Sequence, residues 1–138
     1  MAASEPRTRQ ILTRVCPPAQ LDKYPPGQRG IDGGGWKIQT LRLPEASTGD
    51  VAYLYVQFES MLAGYIDDVE FVVGDATAPV VNVRTSSRSG YLDFGVNAKR
   101  YNWLAKEVGK KKGWTISTIR EKEHPNYFGQ NDLTDADL

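Results

Sequence analysis

Two acids and two arginines carry the chemistry this sequence offers most openly. Asp68 and Glu70 stand two residues apart in one apolar-rich run, and Arg84 and Arg88 stand four apart in another. An extended chain sends alternate side chains to opposite faces, so each pair shares a face of its strand. By the same parity, Glu59 in the preceding run lies on that face if the three runs are neighbours in one antiparallel sheet. Guanidinium and carboxylate groups brought together in this way favour planar, bidentate contact. Two readings follow. In one, the arginines bind an anionic group or one acid carries a proton. In the other, the charges form a structural ion-pair network, each exposed pair worth roughly 0–1 kcal/mol. Asp67 has the opposite parity and points to the core side, where a carboxylate needs hydrogen bonds.

The run from Ser86 to Asn97 is rich in hydroxyls and glycines and leads from a strand into a helix. Backbone N–H groups at a helix start can hold an anion, with Arg88 and Arg100 assisting. The glycine spacing is that of neither a Walker loop nor a dinucleotide fingerprint, and caps explain Ser and Asp at such a junction equally well. His124 is the sole histidine and Cys16 the sole cysteine. One of each makes a weak basis for a triad, a thiol–imidazole pair or a zinc site. No catalytic residue, metal ligand or cofactor is assigned. Tyr53 and Tyr55 are of a type that stacks on bases, but ordinary sheet packing accounts for them as well.

The elements that must position these residues follow from periodicity. Trp36 to Leu43 reads as a strand, ended by Pro44 and the Ser47–Asp50 turn. Val51 to Ser60 alternates apolar Ala52, Leu54, Val56 and Phe58 with Tyr53, Tyr55, Gln57 and Glu59. In Tyr65 to Val73, residues Tyr65, Val69, Phe71 and Val73 read as core, and in Val80 to Arg88, Val81 and Val83 point inward. Short connections favour antiparallel pairing. Asp93 is placed as the N-cap of a helix over about Phe94 to Lys110, with Tyr101, Leu104 and Val108 on one face. Trp114 to Ile119 reads as one more strand. Arg7 to Val15 forms a short helix before the prolines at 17, 18, 25 and 26. The polar tail from Glu121 is expected to carry little structure of its own.

Composition bounds the function classes. A chain of 138 residues, 40% hydrophobic and 25% charged, fits one globular domain. Lys plus Arg and Asp plus Glu both number 17, so the basic excess of a nucleic-acid binder is lacking. Lys106, Lys110, Lys111 and Lys112 sit where they complement a helix dipole. No apolar run approaches the ~18 residues of a membrane span. Met1 to Arg7 lacks the apolar stretch of a secretory signal.

Three segments resemble one family. Phe58-Glu59-Ser60, Gly64-Tyr65-Ile66-Asp67-Asp68-Val69-Glu70-Phe71 and the long run Val83 to Arg100 are similar, in order and spacing, to the domain of unknown function 1499 family. Met61, Thr85 and Ala98 depart from its pattern, and Cys16-Pro17 lacks the second cysteine of its N-terminal segment. The resemblance implies a fold and no activity. The form of the motif is the one common in phototrophs, which implies a plastid or cyanobacterial setting.

The sequence thus predicts an α+β chain with an antiparallel sheet of about four or five strands and a helix packed on one face. A Pro/Gly-rich arm covers residues 1–34, the domain 35–119, and an acidic tail 120–138. The function expected is a non-enzymatic module that binds a protein partner, as a peripheral component of a larger, photosynthetic assembly, associated with a membrane complex but not spanning the membrane. It sits in a plastid, in the stroma or beside the thylakoid, or in a bacterial or cyanobacterial cytoplasm. The alternative is a small-ligand carrier or enzyme centred on the charged face, with Glu59, Asp68, Glu70, Arg84, Arg88 and Arg100 as ligand-binding candidates.

Overall fold

A computed structural model of the chain describes residues 35–43, 51–59, 65–74 and 80–138. The helix expected over Arg7–Val15, the arm over 1–34 with Cys16, and the Ser47–Asp50 turn lie outside the described residues. Four strands form one antiparallel sheet in sequential order: β1 (Gly35–Arg42), β2 (Ala52–Glu59), β3 (Ile66–Val73) and β4 (Val81–Ser87). With the helices described below, this is the α+β class the periodicity predicts, with four strands.

The chain divides into two compact units, at Asp93 and Phe94; the first spans residues 30–93 and holds the sheet. Its buried residues are the ones parity selects. Ala52, Leu54, Val56 and Phe58 of β2 and Val69 and Phe71 of β3 are all buried. Their register aligns them across the strands, with Leu54 opposite Phe71 and Val56 opposite Val69. Burying one face fixes the register, because a one-residue slip would turn the whole apolar set to water. Asp67 is buried too, opposite Phe58 and Ser87. Tyr65 is a correction: expected in the core, it precedes β3 and is 59% exposed. The alternation holds only where the chain is paired, and Tyr65 is one residue too early.

One irregularity interrupts β1. The pairing shifts between Ile38 and Thr40, leaving Gln39 as an extra residue between the partners of Val56 and Tyr55. Such a bulge lets Ile38 and Leu41 both face the core side although they are three apart.

The second unit, as described, covers residues 94–138. Helix α1 (Val96–Gly109) begins two residues later than expected. Its N-cap is Gly95, in the left-handed region at φ 79°, with no side-chain cap, so Asp93 does not fill that role. Phe94 is also left-handed, at φ 52°. Its N–H donates to Asn131 Oδ1 at 2.9 Å. The conformation favours glycine, and a Cβ on Gly95 would fall 2.6 Å from Leu133 Cδ1, so that methyl would have to move.

The tail is folded, contrary to expectation. Helix α2 (Pro125–Asn131) starts on a proline, whose missing N–H costs nothing in the first turn. It buries Phe128, which is 1% exposed. A 3₁₀ turn follows at Asp135–Asp137, closed by a reciprocal capping box between Thr134 and Asp137. Glu121 N–H donates to Asp135 Oδ1 at 2.8 Å. The acidic residues that suggested a solvated tail are the ones that cap it.

Trp114 to Ile119 is a further correction, since no strand forms there. The segment is held by side chains of α1. Asn102 Nδ2 donates to the Ile119 carbonyl at 3.1 Å, and Ile119 N–H donates to Asn102 Oδ1 at 2.7 Å. Tyr101 OH donates to the Ser117 carbonyl at 3.0 Å. A side-chain amide thus replaces a neighbouring strand. This also changes the buried face of α1, which includes Asn97, Arg100 and Asn102 beside Leu104, while Tyr101 and Val108 are only half-buried.

Candidate functional site

The face of the sheet opposite the apolar one is built by the same alternation. β1 contributes Lys37, Gln39 and Arg42; β2 contributes Tyr53, Tyr55, Gln57 and Glu59; β3 contributes Asp68 and Glu70; β4 contributes Arg84, with Arg88 just beyond its end. Glu70 lies directly opposite Arg84 and Tyr55, and Asp68 opposite Gln57 and Ser86. Arg88 N–H donates to the Ile66 carbonyl at 3.0 Å, which carries the β3–β4 pairing far enough to bring its side chain back over Asp68.

Two rows of contacts cross all four strands. In the first, the Arg42 guanidinium lies over the Tyr53 ring at 5.0 Å. Tyr53 OH donates to Glu70 Oε1 at 2.7 Å, and Arg84 Nη1 donates to Glu70 Oε2 at 2.7 Å. In the second, Gln39 Nε2 donates to Gln57 Oε1 at 2.7 Å, and Gln57 Nε2 donates to Tyr55 OH at 2.5 Å. Tyr55 OH donates to Asp68 Oδ1 at 2.7 Å. Arg88 closes this row, with Nε to Asp68 Oδ2 at 2.8 Å and Nη2 to Asp68 Oδ1 at 2.9 Å and to Tyr55 OH at 2.6 Å. The tyrosine–acid contacts run diagonally, two residues off the direct cross-strand partner, within the reach of long side chains on a twisted sheet.

The electrostatics follow from these contacts. The Arg88 fork, then the Tyr55 hydroxyl, hold the Asp68 carboxyl below the ordinary carboxylate range, against a burial that pushes it up. Glu70 is lowered by the hydrogen bond from Tyr53 and then by that from Arg84. The Tyr53 phenol is raised, first by donating to Glu70. Arg84 is raised by Glu70, and Arg88 by Asp68. Each pair therefore fixes the charged form of both partners. A carboxylate held ionised, with both oxygens accepting, is poorly suited to carry a proton at neutral pH. What stays available is donor capacity: the Arg84 side chain is 70% exposed and spends one nitrogen on Glu70. Arg42 makes no hydrogen bond among the described residues.

Of the six sequence candidates, four come together: Asp68, Glu70, Arg84 and Arg88. Glu59 is exposed at the end of β2, opposite Ile66, and enters neither row. Arg100 is elsewhere: it belongs to α1 in the second unit, is 1% exposed, and its Nη1 donates to Asn97 Oδ1 at 3.0 Å. The sequence reading missed the two tyrosines as centres of the rows, Gln57 as the link beside one of them, and Gln39 and Arg42 as their ends. The signal was present, since Tyr53, Tyr55 and Gln57 have the parity of Glu59.

The family model described as "Protein of unknown function (DUF1499)" matches residues 36–108, just over half of the chain. No curated protein and no solved structure matches it.

Proposed function

The chain belongs to the DUF1499 family, and we propose that it is a non-enzymatic binding module whose polar sheet face receives anionic groups of a protein partner. One observation carries the reading: every carboxylate oxygen of Asp68 and Glu70 accepts from a tyrosine or arginine, and the exposed guanidinium of Arg84 keeps unspent donors. The acids act as posts that hold the arginines in place rather than as reagents. Held side chains lose less entropy on binding than free ones, so a rigid donor array favours recognition. Arg84 and Arg42 stand on the two edge strands, about 14 Å apart at a strand spacing of ~4.8 Å. An acidic segment of a partner spans that width. The same donors suit a small anionic ligand, which is the second reading the exposure of Arg84 supports.

The finer setting rests on the resemblance of the Val83–Arg100 run to the form common in phototrophs. It supports a place at the periphery of a photosynthetic assembly, in a plastid or a cyanobacterial cell. The folded tail removes one part of the expected picture, because residues 121–138 carry structure of their own.

Co-purification with the tagged full chain tests the proposal. Arg42→Glu with Arg84→Glu should abolish recovery of the partner while circular dichroism and thermal midpoint stay close to the parent. Recovery of the same partner in equal amount by the double variant would refute it.

A further inference from the structure

A net charge of zero conceals an uneven partition along the chain. Residues 30–93, the sheet unit, carry 4 Lys and Arg against 9 Asp and Glu, a net of −5. The sequence outside that unit, residues 1–29 and 94–138, carries 13 against 8, a net of +5. Such asymmetry within a neutral chain points to an anionic partner for the basic part.

The excess is densest where α1 ends. Lys106, Lys110, Lys111 and Lys112 fall within seven residues, and all four are exposed. Glu107 is the one acid in that stretch, and it pairs with Lys110. Among the described residues, Lys106, Lys111 and Lys112 make no ion pair. The helix dipole accounts for Lys106 in the last turn, and its effect fades within that turn. Lys111 and Lys112 lie past it. Lys111 N–H donates to the Val108 carbonyl at 2.9 Å and Trp114 N–H to the Lys111 carbonyl at 3.3 Å, with Gly113 left-handed at φ 91°. These turns hold three consecutive lysines at the helix end, where they repel one another. Trp114, half-buried, and Ile116, 39% exposed, follow them in the chain. Residues 1–29 add to the excess rather than offset it, with five basic residues against two acidic ones.

The kind of anion follows from the residue types. All four cations are lysines, compact hydrated charges without the planar fork that fixes one phosphate or carboxylate in a set geometry. Such a cluster responds to a field rather than to a single bound group, as clusters of lysine at an anionic membrane surface do. A tryptophan and an exposed isoleucine beside the charges fit the same setting, since an indole ring settles at headgroup level. A single-strand binder would instead show exposed aromatic rings along a basic groove. No helix among the described residues is long and apolar enough to cross a membrane, so contact through this patch is peripheral.

We infer that the lysine-rich end of α1, Lys106 to Lys112 with Trp114, docks the chain on an anionic lipid surface. The lysines supply the attraction, and relief of their mutual repulsion adds to it. This inference is independent of the sheet-face reading and fails or stands without it.

Flotation of the full chain with lipid vesicles is the test. The chain should float with vesicles of phosphatidylglycerol and phosphatidylcholine in equal parts, and not with phosphatidylcholine alone. Raising the salt from about 0.1 M to about 1 M, which shortens the screening length from ~10 Å to ~3 Å, should release it. Each lysine near such a surface is worth roughly fivefold in partitioning. Lys111→Gln with Lys112→Gln should therefore weaken binding about 25-fold. Lys111→Arg with Lys112→Arg keeps the charge and should stay within about twofold of the parent. Both double variants should keep the parent's thermal midpoint, since neither lysine makes an ion pair among the described residues. Absence of flotation with the anionic vesicles, equal flotation of the glutamine pair, or loss of binding in the arginine pair overturns the inference. So does equal flotation with phosphatidylcholine alone, which would assign binding to apolar contact. Tighter binding of a DNA or RNA oligonucleotide than of the vesicles, lost in the glutamine pair, overturns it too, since the occupant would then be a nucleic acid.

Discussion

Replacing Tyr55 with phenylalanine removes one oxygen and tests the physics of the polar face most directly. That hydroxyl donates to Asp68 Oδ1 at 2.7 Å and accepts from Arg88 Nη2 at 2.6 Å and Gln57 Nε2 at 2.5 Å. A hydrogen bond to a charged group contributes about 1.5–3 kcal/mol net, and the one from Tyr55 to Asp68 is only partly buried. The Arg88 side chain is 47% exposed, so solvent replaces part of what the tyrosine supplies. The expected loss for Tyr55→Phe is therefore about 1–2 kcal/mol in urea denaturation at pH 7. At ~4 °C per kcal/mol for a chain of this size, the thermal midpoint falls by roughly 4–8 °C. The pH dependence gives a second handle. Asp68 is lowered from its ordinary 3.8, so the carboxylate form stabilises the fold. That contribution is complete above the unfolded value and is lost as pH falls through the folded one. The gap between parent and variant should be widest near neutrality and narrow progressively as pH falls below the ordinary 3.8. In an Asp68→Asn background, Tyr55→Phe should cost about 1 kcal/mol less than in the parent. A change below ~0.3 kcal/mol, close to the scatter of such measurements, refutes the claim that the tyrosine organises the row. A deficit equal at pH 7 and pH 3 and unchanged by Asp68→Asn would assign the loss to packing instead.

Two further outcomes concern the second unit. Phe128→Ala should destabilise the chain by about 3–5 kcal/mol, the range for emptying a buried aromatic site; a loss under ~1 kcal/mol would mean that α2 is not anchored by this ring. Gly95→Ala should cost at least ~1 kcal/mol, because φ 79° is unfavourable for alanine and the new Cβ falls 2.6 Å from Leu133 Cδ1. Adding Leu133→Ala relieves the contact but not the conformation, so the cost measured from that background should shrink without vanishing.

The sheet was legible because period-two patterning has a single solution when one face is buried. Leu54, Val56 and Phe58 on one side and Tyr53, Tyr55 and Gln57 on the other leave no second register for β2. Asp68, Glu70, Arg84 and Arg88 inherit their common face from that constraint. Other features were not legible, each for a local reason. The bulge at Gln39 has no glycine or proline to announce it. Asp93 resembles a cap, but the left-handed pair Phe94–Gly95 places the helix start beyond its reach. The run Trp114–Ile119 has strand composition, yet composition cannot reveal that its partner is the amide of Asn102. Arg100 was read as assisting an anion site at the helix start, and charged residues are seldom buried; at 1% exposure, hydrogen-bonded to Asn97, it is one of the exceptions.

The sheet face and the second unit differ in how far the family match covers them. The family match over residues 36–108 contains β2, β3, β4, all of β1 but Gly35, and every residue of both contact rows. The sheet-face reading therefore draws on the part of the chain that the family defines. The tie between α1 and the segment that follows it is divided. Tyr101 and Asn102 fall inside the match, whereas Ser117 and Ile119, which they hold, fall outside. An asparagine in a helix satisfies its amide far more easily with water than by reaching a segment 17 residues away. Its burial at 3% exposure, with both amide atoms committed to Ile119, makes sense only with that segment in place. A relative that keeps Asn102 should keep an extended segment at the same distance after the helix, whatever its side chains.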